Sequence, residues 1–215
     1  MPETAIDQHV VVPSGTAQLS GHLAIPASAR GVVIFAHGSG SSRLSPRNRY
    51  VAEILNAAKV GTLLFDLLTP DEEVRRSNVF DIELLASRLL GATTFTRRAL
   101  ADTLPLGYFG ASTGAAAALW AAAELGRAIT AVVSRGGRPD LAAGRLAEVT
   151  APTLLIVGGE DHVVLELNRD ALALLRCPAK LVEIAGATHV FRGARHAGSR
   201  RPQRARLVRG ALLAG

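Results

Sequence analysis

The chain has 215 residues, 48% of them hydrophobic, with 24 Lys and Arg against 18 Asp and Glu. This length and apolar content suffice for one domain with a substantial core. Seven arginines and no Asp or Glu follow residue 189, so residues 1–189 carry 17 basic against 18 acidic residues and the formal net charge of +6 resides in the tail. A balanced main body argues against a nucleic-acid-binding surface there, and we predict no nucleic-acid partner.

Other features of the sequence bear on the cellular compartment and on cofactors. The amino-terminal residues lack the basic start and apolar core of a secretory signal, and no apolar stretch is long enough to cross a bilayer. We therefore expect a cytoplasmic protein with no membrane partner. Cys177, the lone cysteine, cannot form an internal disulfide, and neither it nor the six histidines fall in a metal-ligand spacing. We predict no metal and no other cofactor.

Apolar runs and helical stretches alternate along the chain after the second strand. The strands are predicted near residues 8–12, 18–25, 31–36, 62–67, 105–110, 129–134, 152–158 and 180–185, and the helices over 47–59, 78–99, 113–125, 141–148 and 163–176. This alternation predicts an α/β fold with a mostly parallel sheet of about seven or eight strands and helices on both faces. Functional loops are then expected at the carboxyl ends of the strands.

The first candidate loop follows the strand at 31–36. His37-Gly38-Ser39-Gly40 consists mostly of small residues, which let backbone amides approach a developing oxyanion. The backbone N–H groups of Ser39 and Thr113 are the predicted donor pair. We interpret His37 as a histidine that holds this loop by hydrogen bonding, without a catalytic role.

A serine between two glycines, Gly110-Ala111-Ser112-Thr113-Gly114, stands between an apolar strand run and an alanine-rich helical run. This layout is typical of a nucleophile elbow, a sharp strand-to-helix turn whose central residue is strained and whose flanking positions have no room for side chains. Ser112 is the predicted nucleophile. The alternative is a glycine-flanked turn with an idle serine.

A carboxylate follows the strand at 152–158. Asp161 is the predicted acid that would orient a histidine ring and stabilise its protonated form, whereas Glu160 and Asp140 are alternatives for this role. Asp161 could also be a carboxylate that caps its loop.

The predicted general base is His189, which follows the strand at 180–185 in the loop Ala185-Gly186-Ala187-Thr188-His189. Serine is a poor nucleophile at neutral pH, so a base must take its proton during attack. His162 is the rival base, but it lies beside Asp161 on one short loop and would have difficulty facing both partners.

Two groups of arginines follow the predicted site loops. Arg43, Arg47 and Arg49 come after the oxyanion loop, and Arg135 and Arg138 come after the strand at 129–134. Of these, Arg43 and Arg135 are the predicted substrate-binding residues, and they would suit an acidic acyl substrate. The alternative is that these arginines are solvated loop and helix-start charges.

These motifs, in the chain order serine, acid, histidine, resemble those of the α/β-hydrolase superfamily, and in particular its small, lid-poor dienelactone-hydrolase-like branch. The resemblance extends over about residues 17–191 and is carried by His37-Gly38-Ser39-Gly40, Phe65-Asp66, Gly110-Ala111-Ser112-Thr113-Gly114, Gly159-Glu160-Asp161 and Gly186-Ala187-Thr188-His189. It implies a single-domain α/β-hydrolase fold over residues 1–189.

The resemblance also implies an activity. We expect a serine hydrolase that cleaves a small-molecule carboxylic ester, thioester or lactone through an acyl-enzyme. Dienelactone hydrolases carry a cysteine where this chain has Ser112, so the lactone itself is not implied. An acyltransferase with the same triad and a non-catalytic binding protein remain alternatives. Similar segments occur joined to phosphoribosyltransferase domains, but the sequence has no acidic phosphoribosyl-diphosphate motif, and we expect no such activity from it.

The segment 190–215 departs from the family pattern, which would close with an amphipathic helix packed on the sheet. Glycines and a proline interrupt it, and its few apolar residues near the end allow a short helix at most. We predict a short helix or poor order here. Either an altered reading frame in a GC-rich gene or a basic arm for anionic partners would account for the arginines.

Overall fold

Eight strands form one sheet in the computed structural model, which describes residues 4–100 and 104–189. In chain order they are β1 (Thr4–Ser14), β2 (Ala17–Pro26), β3 (Val32–Ala36), β4 (Gly61–Phe65), β5 (Leu106–Ala111), β6 (Ile129–Arg135), β7 (Thr153–Gly158) and β8 (Ala179–Ile184). Their order across the sheet is β1-β2-β4-β3-β5-β6-β7-β8. The β1–β2 and β2–β4 pairs are antiparallel and the others parallel. The predicted α/β architecture is therefore confirmed.

The described helices follow the predicted stretches, except that one stretch is divided, one is a 3-10 helix, and the short helices at Pro70–Glu73 and Gly126–Ala128 were not predicted. The helices are α1 (Pro46–Ala57), α2 (Pro70–Glu73), α3 (Arg76–Phe80), α4 (Ile82–Ala99), α5 (Thr113–Leu125) and α6 (His162–Leu174), with 3-10 helices at Gly126–Ala128 and Pro139–Glu148. The single helix predicted over 78–99 was wrong, because Asp81 leaves the helical conformation and its side chain accepts the Leu84 N–H at 3.0 Å, which starts α4 afresh. The helix predicted over 141–148 is a 3-10 helix.

The central strands are buried on both faces. Every residue of β3, β4, β5 and β7 is buried, as expected for parallel strands covered by helices on either side. In β5, Tyr108 belongs to the core under α4 and α5, whereas Phe109 belongs to the core under α1. Successive side chains of β5 therefore alternate between the two faces of the sheet.

Helix α5 lies close to the sheet, and its first buried residues are small. Ala115, Ala116, Ala117 and Ala118 are each 0% exposed. Close-packed interiors leave little free volume, so the small residues fix how near the helix axis comes to β5. This distance positions Ser112, the residue that joins β5 to α5.

The predicted domain boundary at residue 189 stays a prediction. The prediction for the segment 190–215 lies outside the described residues and also stays a prediction. Within residues 4–100 and 104–189, none of the helices combines the length and apolar character needed to span a bilayer.

We expect Ala116→Leu to lower the free energy of unfolding by about 1–3 kcal/mol, because Ala116 is 0% exposed and the core around it has no space for the added carbon atoms. Ala173→Leu is the matched control, since Ala173 lies in α6 and is exposed. It should change stability by about 0.5 kcal/mol or less. Urea denaturation of both variants measures this, and equal stabilities for the two would contradict the close packing.

Candidate active site

Ser112 occupies a strained turn between β5 and α5. Its backbone has φ of +51°, a conformation that residues other than glycine rarely adopt. A methyl group at Gly110 would lie 2.4 Å from the Ala115 Cα, and one at Gly114 would lie 2.2 Å from the Ala36 carbonyl oxygen. The two glycines are thus required by close backbone contact, and the turn has the geometry of a nucleophile elbow.

The loop after β3 lies directly against this turn. A methyl group at Gly38 would lie 2.8 Å from the Ser112 Cβ and 3.0 Å from the Ala111 carbonyl oxygen. Ser39 follows at an exposed position. Thr113 begins α5, and amides in the first turn of a helix have no acceptor within that helix. The structure therefore places the two predicted oxyanion donors on segments next to Ser112.

His37 binds the backbone of the same loop. The ring is buried, with Nδ1 3.0 Å from the Gly38 carbonyl oxygen and Nε2 accepting the Leu67 N–H at 3.0 Å. Because Nε2 accepts, the proton of the neutral ring resides on Nδ1, where it can be donated to Gly38. Both ring nitrogens are within hydrogen-bonding distance of backbone groups, which matches the supporting role predicted for His37.

Asp161 and His189 form a hydrogen-bonded pair. The His189 Nδ1 lies 2.6 Å from the Asp161 Oδ2. Asp161 is the N-cap residue of α6, yet its side chain makes no capping hydrogen bond. The carboxylate is therefore directed to the imidazole instead of the helix, and the capping alternative is not what the structure shows. The Asp161 side chain is 15% exposed and that of His189 is 47% exposed.

Backbone contacts fix the acid and base loops to each other. The Gly159 N–H donates to the Ile184 carbonyl at 2.9 Å, and the Glu160 N–H donates to the Ala187 carbonyl at 3.0 Å. A methyl group at Gly158 would lie 2.4 Å from the Ala187 oxygen. These contacts tie the two loops together and hold Asp161 and His189 near each other.

The rival acids and the rival base are not hydrogen-bonded to the Asp161–His189 pair in the described residues. Asp140 is bound by the Arg138 guanidinium through two nitrogens, at 2.9 and 2.7 Å, and this hydrogen bonding raises the pKa of Arg138. Glu160 is exposed, and His162 is exposed at the first residue of α6. The structure pairs Asp161 with His189, whereas the Asp140 carboxylate is paired with Arg138.

Arg43 is already paired with a carboxylate. The Asp66 side chain accepts the Arg43 N–H at 2.7 Å and also binds its guanidinium in a short ion pair. Asp66 follows β4, so this pair links the loop after β3 to the end of the neighbouring strand. Its charge is thus accounted for within the protein, which weakens the interpretation of Arg43 as a substrate-binding residue.

Arg135 has a different environment. It ends β6 opposite Ala111, its guanidinium stands 5.4 Å from the centre of the Phe109 ring, and its Nη2 donates to the Asn48 Oδ1 at 2.9 Å. Burial, and then the nearby charge of Arg47, lower the pKa of Arg135 to about 10. No Asp or Glu in the described part of the chain forms an ion pair with it. The Arg135 guanidinium therefore has a neutral hydrogen-bond partner, and its backbone lies opposite Ala111, the residue before Ser112.

Two residues beside the site were missed from the sequence. Asn48 is 2% exposed and holds Arg135, and Asn168 is 0% exposed in α6. The sequence does not show that a polar residue inside a helical stretch will be buried at a site, because burial depends on packing partners distant in sequence. Among the described residues, no group of three or more His, Cys, Asp or Glu is placed to hold a metal ion.

Comparison with curated proteins finds two relatives from Mycobacterium tuberculosis, strains CDC 1551 and H37Rv, each 59% identical over 186 residues. Both carry a provisional phosphoribosyl transferase name. The match covers 86% of this chain, and the chain spans 42% of the length of these relatives. No protein-family model matches the chain.

Comparison with solved structures finds a dienelactone hydrolase from Anabaena variabilis with a TM-score of 0.90 and 51% identity, covering 97% of each chain. Est1E from Butyrivibrio proteoclasticus matches at a TM-score of 0.77 and 17% identity, over 96% of this chain and 98% of that one. A lidless serine hydrolase from Xanthomonas campestris matches at a TM-score of 0.71 and 21% identity, over 97% of this chain and 92% of that one. The latter two show the fold, whereas half-identity over the full length shows the family: the chain is a member of the dienelactone hydrolase family of α/β-hydrolases.

Proposed function

We propose that this protein is a serine hydrolase that cleaves a carboxylic ester, thioester or lactone through an acyl-enzyme on Ser112. The observation that carries the proposal is the 2.6 Å contact between Asp161 and His189, made while the Asp161 carboxylate leaves its helix uncapped. The strained turn at Ser112 supports it. Family membership supports ester hydrolysis in general.

In this mechanism the Asp161 carboxylate accepts from the His189 Nδ1 and leaves the Nε2 atom to act on the serine. Nε2 takes the proton from the Ser112 hydroxyl as its oxygen attacks the substrate carbonyl carbon. The amides of Ser39 and Thr113 stabilise the oxyanion. His189 then gives the proton to the leaving group, which departs. A water molecule next attacks the acyl-enzyme while His189 takes its proton, and His189 returns that proton to the Ser112 oxygen as the acid product leaves.

The name of the Mycobacterium tuberculosis relatives does not change this proposal. It applies to proteins of which the matched region is 42%, and the name does not say which part of them it describes. We propose a small-molecule ester as the substrate of the present chain. The cytoplasmic location expected from the sequence stays a prediction.

We also propose that Arg135 binds an acidic group of the substrate. A guanidinium that is partly buried and paired with a neutral amide gains most from an anionic ligand, because hydrogen bonds between ions are stronger than those to neutral groups. Arg47 lies close enough to contribute like charge, which further favours an anion between them.

The nucleophile is tested by labelling with a fluorophosphonate probe. We expect the protein to be labelled and Ser112→Ala to abolish labelling together with hydrolysis of short-chain p-nitrophenyl esters, because the attacking oxygen is removed. Ser87→Ala, an exposed serine of α4, is the control and should label normally. Labelling that survives in Ser112→Ala would refute the assignment, and turnover confined to added alcohol or amine acceptors would indicate an acyltransferase.

The acid is tested by neutralising carboxylates in turn. We expect Asp161→Asn to lower kcat by about 10³–10⁴-fold, because an amide neither stabilises the imidazolium nor holds the required ring tautomer. Glu160→Gln, one residue earlier and exposed, should retain activity. If the two variants exchange these outcomes, Glu160 is the acid and the proposed triad is wrong.

The anion site is tested with a matched pair of substrates, the p-nitrophenyl ester of a dicarboxylic half-acid and its neutral methyl counterpart. We expect Arg135→Met to raise KM for the acidic ester by about 10- to 100-fold, because hydrogen bonds to a charged group are lost. Methionine retains apolar contact with Phe109. The neutral ester should be unaffected, as should both esters with Arg49→Met at an exposed position of α1. Equal losses on both esters would count against the site.

A further inference from the structure

Asn168 connects the helix that starts beside Asp161 to the loop that supports Ser112. It lies in α6, seven residues after Asp161, and is 0% exposed. Its side-chain Nδ2 donates to the Val164 carbonyl within α6 at 2.7 Å and to the Gly137 carbonyl at 3.0 Å. The second bond crosses between two elements that carry different parts of the proposed site.

The segment Gly136–Arg138 continues this connection to the nucleophile. The Arg138 N–H donates to the Ser112 carbonyl at 3.1 Å, and the Gly136 N–H donates to the Ile156 carbonyl of β7 at 2.7 Å. Three consecutive residues therefore contact the elbow, α6 and β7. A displacement of Gly137 would be transmitted to the backbone of Ser112 through the next residue.

The segment has little room to move. A methyl group at Gly137 would lie 2.0 Å from the Ser134 Oγ and 2.6 Å from the Ala115 Cβ. The packing against α5 and β6 limits Gly137 from one side, and the Asn168 carboxamide binds it from the other. Gly137 is thus held between the helix that follows Ser112 and the helix that follows Asp161.

Stability alone is a poor explanation for a carboxamide at this position. In the part of the chain that the structure describes, the buried Asn168 Oδ1 and Ser134 Oγ atoms have no hydrogen-bond partner. Buried polar atoms without partners are destabilising, and apolar side chains of similar size would avoid this cost. An apolar residue could not reproduce the bonds to Val164 and Gly137, and of these two only the bond to Gly137 joins α6 to another element.

We propose that Asn168 is a positioning residue that sets the separation between the Asp161–His189 pair and Ser112. This inference rests on the proposed function, since it concerns the same triad. The connection runs from the Ser112 carbonyl to Arg138, through Gly137 to Asn168, and along α6 to Asp161. Proton transfer from serine to histidine depends steeply on the distance between them, so a small displacement along this connection lowers the rate.

The test uses Asn168→Ser. A serine hydroxyl in a helix can still donate to the carbonyl four residues earlier, here that of Val164, but it is too short to link α6 to Gly137. We expect kcat for a p-nitrophenyl ester and the rate of fluorophosphonate labelling to fall about tenfold or more. KM should stay within about twofold, because the altered contact does not touch substrate.

Thr96→Ala is the control, because Thr96 in α4 is also 0% exposed and bonds the carbonyl four residues before it. It should lower Tm without lowering kcat in the folded protein. Equal kcat in Asn168→Ser and the unmodified protein, or equal losses in both variants, would overturn the proposal.

A measurement that does not use activity separates this inference from the proposed function. Amide hydrogen exchange at Arg138, whose N–H binds Ser112, should accelerate in Asn168→Ser at temperatures well below unfolding and stay unchanged in Thr96→Ala. Unchanged exchange at Arg138 in Asn168→Ser would overturn the positioning role. Labelling that persists in Ser112→Ala would instead refute the proposed nucleophile while leaving the exchange result intact.

Discussion

The candidate site depends on a close backbone contact at the end of β5. Ser112 can hold φ of +51° because Gly110 and Gly114 let α5 approach the strand and the loop after β3 more closely than any side chain would permit. The four buried alanines that follow extend this approach along the helix. A serine hydroxyl is presented at the carboxyl edge of the sheet as a consequence of packing, with local strain offset by the surrounding core.

Support for this turn comes from both neighbouring strands. His37 binds the β3 loop to Leu67 after β4, and Arg138 binds the Ser112 carbonyl from the loop after β6. The Asp161–His189 pair reaches the same edge on loops whose backbones hydrogen-bond to each other. Each proposed catalytic group is thus oriented by groups that take no part in the chemistry, as pre-organised sites require.

The two predicted arginines show how tertiary contacts change the meaning of a charge. From the sequence Arg43 and Arg135 were equivalent candidates, because each follows a site loop. In the structure Arg43 meets the Asp66 carboxylate, whereas Arg135 meets an amide and an aromatic ring. Whether a cation is neutralised depends on residues 23 or 87 positions away, and no local pattern encodes such pairings.

The sequence by itself determined the eight strands, their mostly parallel arrangement and the layout of the elbow, because apolar periodicity and glycine spacing are local consequences of backbone geometry. It did not separate α3 from α4 at Asp81, since one polar cap hardly alters a periodic pattern over 78–99. Tertiary structure alone decided that Asp161 turns to His189 instead of capping α6, that Arg135 has a neutral partner, and that Asn168 reaches Gly137. Those outcomes depend on which distant elements pack together, and hydrogen-bond partners are chosen only after packing has brought them within reach.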